Sequence, residues 1–305
     1  MAKRDFLTIT DFSRAELDAT LNLALEMKKD RWNHKPFQGG SAALIFKKPS
    51  LRTRVSFEVG VHELGGHPIY ITDQEIVLGK RESVHDIAQV LSRYVRLIEI
   101  RTFQHEEVVQ LAHHATVPVI NGLTDSYHPC QVLADIMTII ERKGRIDGLT
   151  VAYVGDGNNV AHSWLKAAQR FDFHLRIGTV RENEPNHEIY AEAQAKSRSR
   201  VQIVHDPARA VQGADVLYTD VWASMGQKHL AEENRARLAR FQINREMLQK
   251  AAPQAIVLHC LPANRGEEIT DEIIDGPQSA VFDEAENRLH IQKALMHQLL
   301  TDFRA

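Results

Sequence analysis

Residues 48–58, KPSLRTRVSFE, place hydroxyl and guanidinium side chains at the start of a predicted helix. Ser50, Arg52 and Thr53 follow the apolar run AALIF, and apolar residues recur at helical spacing after them. Free backbone N–H groups and the helix dipole favour an anion at such a terminus, and one arginine can bind two of its oxygens. The segment therefore predicts a binding site for a small oxyanion. A solvated basic turn, in which Ser50 serves only as the helix cap, is the alternative.

Two further polar clusters lie next to predicted elements downstream. Arg101 follows the apolar run VRLIEI, and His128 and Gln131 flank a predicted helix start at Pro129. An arginine and a His–Gln pair can hydrogen-bond the oxygens and the amide of a small ligand. A surface arginine and a pair of helix-capping residues are the corresponding structural interpretations.

Segment 154–164, VGDGNNVAHSW, combines a strand end, a glycine-containing turn and a helix start, as a dinucleotide-binding unit does. Val160 occupies the place of the third glycine, so the dinucleotide fingerprint is incomplete. Asn158 and Asn159 suit either a helix cap or a contact to a ligand.

Two later strand ends carry the remaining candidates. Asp220 ends the run VLYTD, where a buried carboxylate could pair with a ligand ammonium group. The loop that contains Ser224 and Met225 could close over a ligand, and a mobile surface loop is the alternative. Cys260, in the run HCLP, could be a nucleophile, a neutral hydrogen-bond donor or a buried thiol, and the sequence leaves these three open.

The elements that position these residues follow a β–α alternation. Short apolar runs that predict strands lie at 41–46, 67–72, 95–100, 117–120, 150–155, 174–178, 201–205, 216–220 and 255–259. Helical patterns separate them, which predicts parallel sheets covered by helices, with ligands beyond the carboxyl ends of the strands. The predicted fold class is α/β, with two domains that each contain a mainly parallel sheet flanked by helices. The predicted domains are 1–142 and 143–281, followed by a C-terminal helix in 282–305.

Composition narrows the classes of function. The chain has 305 residues and a formal net charge of −3, which argues against a general nucleic-acid binder. Its two cysteines form no C-x-x-C pair, so the sequence predicts a reducing compartment and no metal cage. Neither a signal-peptide pattern nor a membrane-length apolar run is present, and a cytoplasmic location is therefore expected.

Several motifs, taken in order, resemble the aspartate/ornithine carbamoyltransferase family, and most closely its ornithine carbamoyltransferases. The motifs are SLRTR at 50–54, HPCQ at 128–131, DVWASMG at 220–226, HCLP at 259–262 and AENR at 285–288. The resemblance covers nearly the whole chain. The S-M-G loop is typical of members that use ornithine, whereas aspartate carbamoyltransferases lack it.

The resemblance implies transfer of a carbamoyl group from carbamoyl phosphate to the δ-amine of L-ornithine, with a role in arginine metabolism, biosynthesis being favoured. It implies no metal and no organic cofactor, a homotrimer, and a C-terminal helix that returns to the first domain. The carbamoyl-phosphate contacts it implies are Ser50, Leu51, Arg52, Thr53, Arg101, His128, Gln131, Cys260, Leu261 and Arg288. The implied ornithine contacts are Asn159, Asp220, Ser224 and Met225, and the implied catalytic residues are Arg101, His128, Asp220 and Cys260.

One position departs from the family pattern. Many relatives have glutamine where this chain has Val77, and valine cannot make the same hydrogen bond to carbamoyl phosphate. Three other functions stay open: the same transfer to another amine such as putrescine or an acylated ornithine, a dinucleotide-dependent oxidoreductase, and a non-catalytic anion-binding relative.

Overall fold

The computed structural model describes residues 3–76, 82–223 and 231–301. The chain forms two compact units, one made of Met1–Ala134 with Glu286–Ala305 and the other of Asp135–Ala285. Each unit contains one parallel sheet with helices packed on it, so the predicted α/β class with two mainly parallel sheets is confirmed. The assignment of one substrate to each predicted domain, 1–142 and 143–281, remains a prediction.

The first unit has a four-stranded sheet of order β2-β1-β3-β4, and every pairing in it is parallel. Its strands are β1 (Ser41–Phe46), β2 (His67–Thr72), β3 (Leu97–Arg101) and β4 (Val119–Leu123). Its helices are α1 (Arg14–Lys29), α2 (Leu51–Glu63), α3 (Asp73–Ile76), α4 (Val84–Tyr94) and α5 (His105–His114).

The strand order of the first sheet brings two of the polar clusters together. The chain reverses its direction of winding between β1 and β3, and ligands bind at such a switch point. Phe46, the last residue of β1, is paired with Arg101, the last residue of β3. The loop after β1, which leads into α2, therefore starts beside Arg101 at the carboxyl edge of the sheet.

The second unit has a five-stranded parallel sheet of order β7-β6-β5-β8-β9. Its strands are β5 (Thr150–Val154), β6 (His174–Gly178), β7 (Val201–Val204), β8 (Val216–Thr219) and β9 (Ile256–His259). Its helices are α7 (Asn159–Ala168), α8 (His187–Lys196), α9 (Pro207–Val211), α10 (Ala231–Leu238), α11 (Arg245–Lys250) and α12 (Asp271–Ile274), and α6 (Pro129–Lys143) leads into the unit. The switch point here lies between β5 and β8, where Asn158 and Asp220 follow their strands.

The last helix, α13 (Val281–Leu300), returns to the first unit as predicted. The Nζ atom of its Lys293 donates to Glu63 on α2 at 2.7 Å, and both side chains are buried. Lys28 on α1 donates to Asn287 of α13 at 2.8 Å. These contacts hold Arg288, one residue further along, against the start of α2.

Within the described ranges, no helix combines the length and the apolar character that crossing a membrane requires.

Candidate active site

The start of α2 has the local geometry that the sequence predicts. Ser50 has extended backbone angles and caps the helix, and its hydroxyl accepts the N–H of Thr53 at 3.2 Å. The Leu51 side chain is apolar and exposed. A hydrogen bond from this residue to a ligand at this terminus would therefore come from its backbone N–H. Arg52 is half-buried at the same terminus. Ser50 therefore acts as a cap, and the helix dipole adds a partial positive charge there.

Two arginines from distant parts of the chain converge on Thr53. Arg101 Nη1 donates to Thr53 Oγ1 at 3.2 Å, and Arg288 Nη2 donates to the same oxygen at 2.9 Å. All three side chains are buried, with 5% of Arg101 and 3% of Arg288 exposed. Buried charges need opposite charges, and two guanidinium groups at a helix N-terminus suit a phosphate dianion. This convergence is the central feature of the first unit.

His128 lies directly before α6 and contributes no positive charge. Burial lowers the pKa of His128 well below its ordinary value, and the neighbouring Arg288, Arg101 and Arg52 lower it further. A neutral imidazole can still donate a hydrogen bond, for example to a carbonyl oxygen. The arrangement resembles an oxyanion site in which a neutral donor accompanies fixed positive charge.

The remaining residues of the HPCQ motif have different environments. Gln131 is fully buried in the first turn of α6. The Cys130 thiol donates to the Asn121 carbonyl oxygen at 3.6 Å, and burial raises its pKa to about 12. Cys130 is therefore a packed, un-ionised thiol, and His128 and Gln131 carry the polar chemistry of the motif.

The basic residues that flank this cluster have structural partners. Lys48 is buried, forms an ion pair with Asp125 and lies 4.4 Å from the centre of the Phe103 ring. Arg54 is exposed and pairs with Glu58 at 2.9 Å. Lys48 and Arg54 are thus engaged within the protein, whereas Arg52, Arg101 and Arg288 place positive charge at the start of α2.

In the second unit, Asp220 is the centre of a hydrogen-bonded cluster. Asn158 Nδ2 donates to Asp220 Oδ2 at 2.8 Å, and the Cys260 thiol donates to Asp220 Oδ1 at 3.0 Å. Burial raises the pKa of Cys260 well above its ordinary value, and the charge of Asp220 raises it further. Cys260 therefore holds its proton at neutral pH and acts here as a neutral donor, unlike the ionised thiol that a cysteine nucleophile needs.

The two asparagines after β5 have different positions at the start of α7. Asn158 caps α7, because its Oδ1 accepts the N–H groups of Val160 at 2.9 Å and Ala161 at 3.3 Å. Asn159 is the first residue of α7 and is 8% exposed. Asn159, rather than Asn158, thus stands at a helix N-terminus where a ligand carboxylate would be favoured.

The glycine turn in this segment serves internal packing. The N–H of Gly157 donates to the Asn183 carbonyl oxygen at 2.8 Å. A Cβ atom at Gly157 would lie 2.3 Å from the Pro185 nitrogen. The backbone near Pro185 therefore fills the space beside Gly157. In a dinucleotide-binding turn, a pyrophosphate group lies in that space, so this geometry disfavours the oxidoreductase alternative.

His259 positions the backbone after β9, a role that the sequence does not reveal. It is fully buried, with Nε2 3.0 Å from Glu268 Oε1, while its Nδ1 accepts the N–H of Leu261 at 2.9 Å. Leu261 has a φ of 56°, a left-handed conformation that is strained for leucine. His259, held by Glu268, therefore fixes the peptide group between Cys260 and Leu261.

Asp220, His259 and Cys260 form the one group in the described ranges whose side-chain ligand atoms could approach a metal ion together. Both ring nitrogens of His259 already have partners, and the Cys260 thiol holds its proton. A metal would have to displace these hydrogen bonds, so the donor set fits a hydrogen-bonded cluster better than a metal centre.

Two acids, Glu284 and Asp135, lie next to each other at the end of β9. Glu284 is fully buried, its Oε2 accepts the N–H of His259 at 2.8 Å, and Tyr218 donates to its Oε1 at 3.4 Å. Burial raises the pKa of Glu284 well above its ordinary value, and Asp135, hydrogen-bonded to it, raises it further. Both causes favour the protonated form of Glu284.

Three positions that the sequence singles out, Ser224, Met225 and Val77, lie outside the described residues.

Comparisons with known proteins give a consistent result across the chain. Residues 4–141 match the family model described as the aspartate/ornithine carbamoyltransferase carbamoyl-P binding domain, and residues 147–299 match the Asp/Orn binding domain. The chain is 50% identical to the ornithine carbamoyltransferase of Thermococcus kodakarensis, covering 97% of this chain and 96% of that one. The solved ornithine carbamoyltransferase from Pyrococcus furiosus is 46% identical with a TM-score of 0.94, over 99% of each chain. An N-acetyl-L-ornithine transcarbamylase structure is 31% identical with a TM-score of 0.87, over 97% of this chain and 99% of that one.

Proposed function

The chain belongs to the aspartate/ornithine carbamoyltransferase family, and on that premise we propose that it transfers the carbamoyl group of carbamoyl phosphate to the δ-amine of L-ornithine, giving L-citrulline and phosphate. The observation that carries the proposal is the convergence of Arg101 and Arg288 on Thr53 at the N-terminus of α2. The names of relatives at about half identity support ornithine as the acceptor.

The first unit binds carbamoyl phosphate in this proposal. Ser50, Leu51 and Arg52 bind the phosphate oxygens at the helix terminus, and Arg288 adds charge from α13. Arg101 lies where it can bridge the phosphate and the carbonyl oxygen. Fixed donors of this kind stabilise the leaving phosphate without reorganisation during the reaction.

The carbonyl oxygen gains negative charge as the tetrahedral centre forms. Thr53, Arg101 and His128 donate to it, and the neutral state of His128 lets it donate without repelling the arginines. Gln131 and the backbone carbonyls of Cys260 and Leu261 are assigned to the carbamoyl NH2 group. The fixed backbone after His259 supports that assignment.

The second unit binds ornithine. Asp220 accepts from the α-ammonium group, Asn159 binds the α-carboxylate, and Ser224 and Met225 are assigned to the ammonium group and the aliphatic stem. A carboxylate at 220 would repel the side chain of aspartate, so charge favours ornithine over aspartate.

The attacking δ-amine must be neutral, whereas a free alkyl amine has a pKa of about 10.4. Arg52 and Arg101 are expected to favour its neutral form by like-charge repulsion. The protonated Cys260 thiol orients the amine and forms no covalent bond to the carbamoyl group. The leaving phosphate accepts the proton, so the proposed reaction requires no metal and no organic cofactor.

An amine panel tests the choice of substrate. With carbamoyl phosphate saturating, kcat/KM is measured for ornithine, N-acetylornithine, putrescine and aspartate, and carbamoylated products are identified by mass. Ornithine should lead by about tenfold or more, because each rival lacks a charged group that the site binds or adds one that it repels. A higher kcat/KM for another amine would replace ornithine as the substrate.

We also propose that the protein is a homotrimer that works in the cytoplasm, in the biosynthesis of arginine. Exposed apolar side chains on α2, β2 and α4 support self-association, namely Leu51, Val55, Ile69, Val90 and Tyr94. Both cysteines are free thiols, in keeping with a reducing compartment. Light scattering should give three times the 34.6 kDa chain mass, and loss of the gene should make the host depend on supplied arginine.

A further inference from the structure

Glu99 is a buried acid that the proposed reaction does not use. It lies in the middle of β3 and is fully buried. Among the residues that the structure describes, neither of its carboxyl oxygens has a hydrogen-bond partner. A carboxylate in that state is costly, and a buried polar group without a partner calls for an explanation.

The strand places Glu99 next to the arginine pair. Side chains two residues apart on a strand lie on the same face, so Glu99 shares the face of Arg101. The intervening Ile100 lies on the opposite face, in the apolar cluster with α4 and α5. A Cβ atom at Gly122 would lie 1.7 Å from Glu99 Oε1, so the carboxyl group is pressed against the backbone of β4. The Glu99 carboxyl group thus fills the space that a side chain at position 122 would need. It is held inside the protein on the face of the sheet that carries Arg101.

The electrostatic surroundings of Glu99 agree with this position. Burial raises the pKa of Glu99 well above its ordinary value, and the charges of Arg101 and Arg288 oppose that rise. Glu99 and Arg288 in turn act on the pKa of the Cys130 thiol in the first turn of α6. The acid thus lies within electrostatic reach of both arginines that contact Thr53.

We propose that Glu99 is a proton-linked positioning residue of the anion site: as a neutral carboxylic acid it leaves the charge of Arg101 and Arg288 to the bound phosphate group, and its ionisation weakens phosphate binding. The inference rests on the proposed function for the identity of the anion. It assigns to Glu99 no contact with the substrate.

The sign of the pH dependence follows from charge. Ionised Glu99 carries the same sign as the dianion and cancels part of the arginine charge, so anion binding favours the protonated acid. Linkage to one proton weakens binding by at most about tenfold per pH unit above the pKa of Glu99. Below that pKa, the affinity for a dianion should not depend on Glu99.

In the part of the chain that the structure describes, few charged or titratable groups face Glu99. Arg101 lies on its own strand, Arg288 on α13, and Cys130 on α6, with His128 just before that helix. Arginines stay charged, the pKa of Cys130 is about 12, and His128 stays neutral because its pKa is well below its ordinary value. Between about pH 7 and pH 10 the charge of these neighbours does not change. Any pH dependence of anion binding that disappears when Glu99 is replaced is therefore due to the titration of Glu99.

The test uses sulfate, a dianion over that whole pH range, and the full chain. Calorimetry measures the Kd of sulfate for the parent and for Glu99→Gln from about pH 7 to about pH 10. The sulfate Kd of the parent should rise with pH, by at most about tenfold per pH unit. The Kd of Glu99→Gln should rise less steeply with pH, and the difference between the two slopes should be at most about tenfold per pH unit. Wherever Glu99 holds its proton, the two Kd values should agree within about threefold, because both side chains are then neutral.

Controls separate the possible outcomes. Glu106→Gln removes an exposed acid of α5 in the same unit and should keep the parent slope. Glu99→Met, which fills similar space without polar atoms, should match Glu99→Gln and serves where the latter folds poorly. Equal slopes in the parent and both Glu99 variants overturn this inference alone. A parent that binds none of sulfate, inorganic phosphate and carbamoyl phosphate at about pH 7 overturns the proposed function and this inference with it.

Discussion

Replacement of Asp220 by asparagine isolates the charge that we assign to the ornithine ammonium group. Asp220 is 6% exposed and accepts from Asn158 at 2.8 Å and from Cys260 at 3.0 Å. Asparagine has nearly the same shape, its oxygen can still accept from Asn158, and the Cys260 sulfur can accept weakly from its NH2 group. The substitution therefore removes one negative charge while the surrounding hydrogen bonds can largely reform.

The size of the effect follows from the loss of that charge. Two unit charges about 4 Å apart interact by about 4 kcal/mol at the effective dielectric constant of a protein site. The amide oxygen retains a neutral hydrogen bond worth about 1 kcal/mol, which leaves a loss of about 2–3 kcal/mol. Since about 1.4 kcal/mol is a factor of ten, kcat/KM for ornithine should fall by about 30- to 150-fold.

The assay compares the two substrates in the same variant. Citrulline formation gives kcat/KM for ornithine, and calorimetry gives the Kd of carbamoyl phosphate without ornithine. The Kd should change by less than about threefold, because Asp220 is assigned no contact with carbamoyl phosphate. Asp271→Asn, an exposed acid of the same unit, should change neither value. Equal losses for both substrates, or a loss for ornithine below about threefold, would contradict the assignment of Asp220 to the ornithine ammonium group.

The remaining predictions concern four other side chains. Arg288→Ala should weaken carbamoyl-phosphate binding by about tenfold or more, measured by calorimetry, and an unchanged Kd would contradict its role beside Thr53. Cys260→Ser should keep activity within about tenfold of the parent in a citrulline assay, whereas a loss of about a thousandfold would indicate a nucleophile. Ser50→Ala should lower the free energy of unfolding by about 1 kcal/mol through loss of the helix cap, and chemical denaturation showing no loss would contradict that role. Burial raises the pKa of Asp156 from 3.8 to about 6, so the folded state holds its proton longer than the unfolded chain and stability is lost as pH rises through that interval. Between about pH 4 and pH 7 the free energy of unfolding of the parent should fall by up to about 3 kcal/mol from this cause, and that of Asp156→Asn should not. Parallel profiles of unfolding free energy against pH for parent and variant would contradict this.

The strands could be predicted because each one is a short apolar run with a clear boundary. Strands β1, β2 and β6 have the predicted limits, whereas β3 begins two residues later than predicted and extends to Arg101. That extension follows from its pairing with β1, which no local pattern reveals. Helix α1 was not predicted, although Ser13 and Glu16 form a capping box at its start, so this signal was present in the sequence.

The sequence indicates individual candidate residues for the site, but it does not give their arrangement in space. Thr53 and Arg288 are 235 positions apart, so the hydrogen bond between them depends on the return of α13. The role of His259 depends on its burial against Glu268, and the importance of Glu99 depends on the absence of a hydrogen-bond partner among the described residues. Burial and missing partners are properties of the tertiary structure, which explains why the sequence does not show them.

The most direct test of the proposed reaction is the simultaneous measurement of citrulline and phosphate. The purified, folded protein is incubated with carbamoyl phosphate and L-ornithine, and both products are quantified over time against a protein-free control. We predict equal amounts of citrulline and phosphate, formed at a rate proportional to protein concentration. Citrulline at the protein-free level, or phosphate released without citrulline, would contradict the proposed carbamoyl transfer to ornithine.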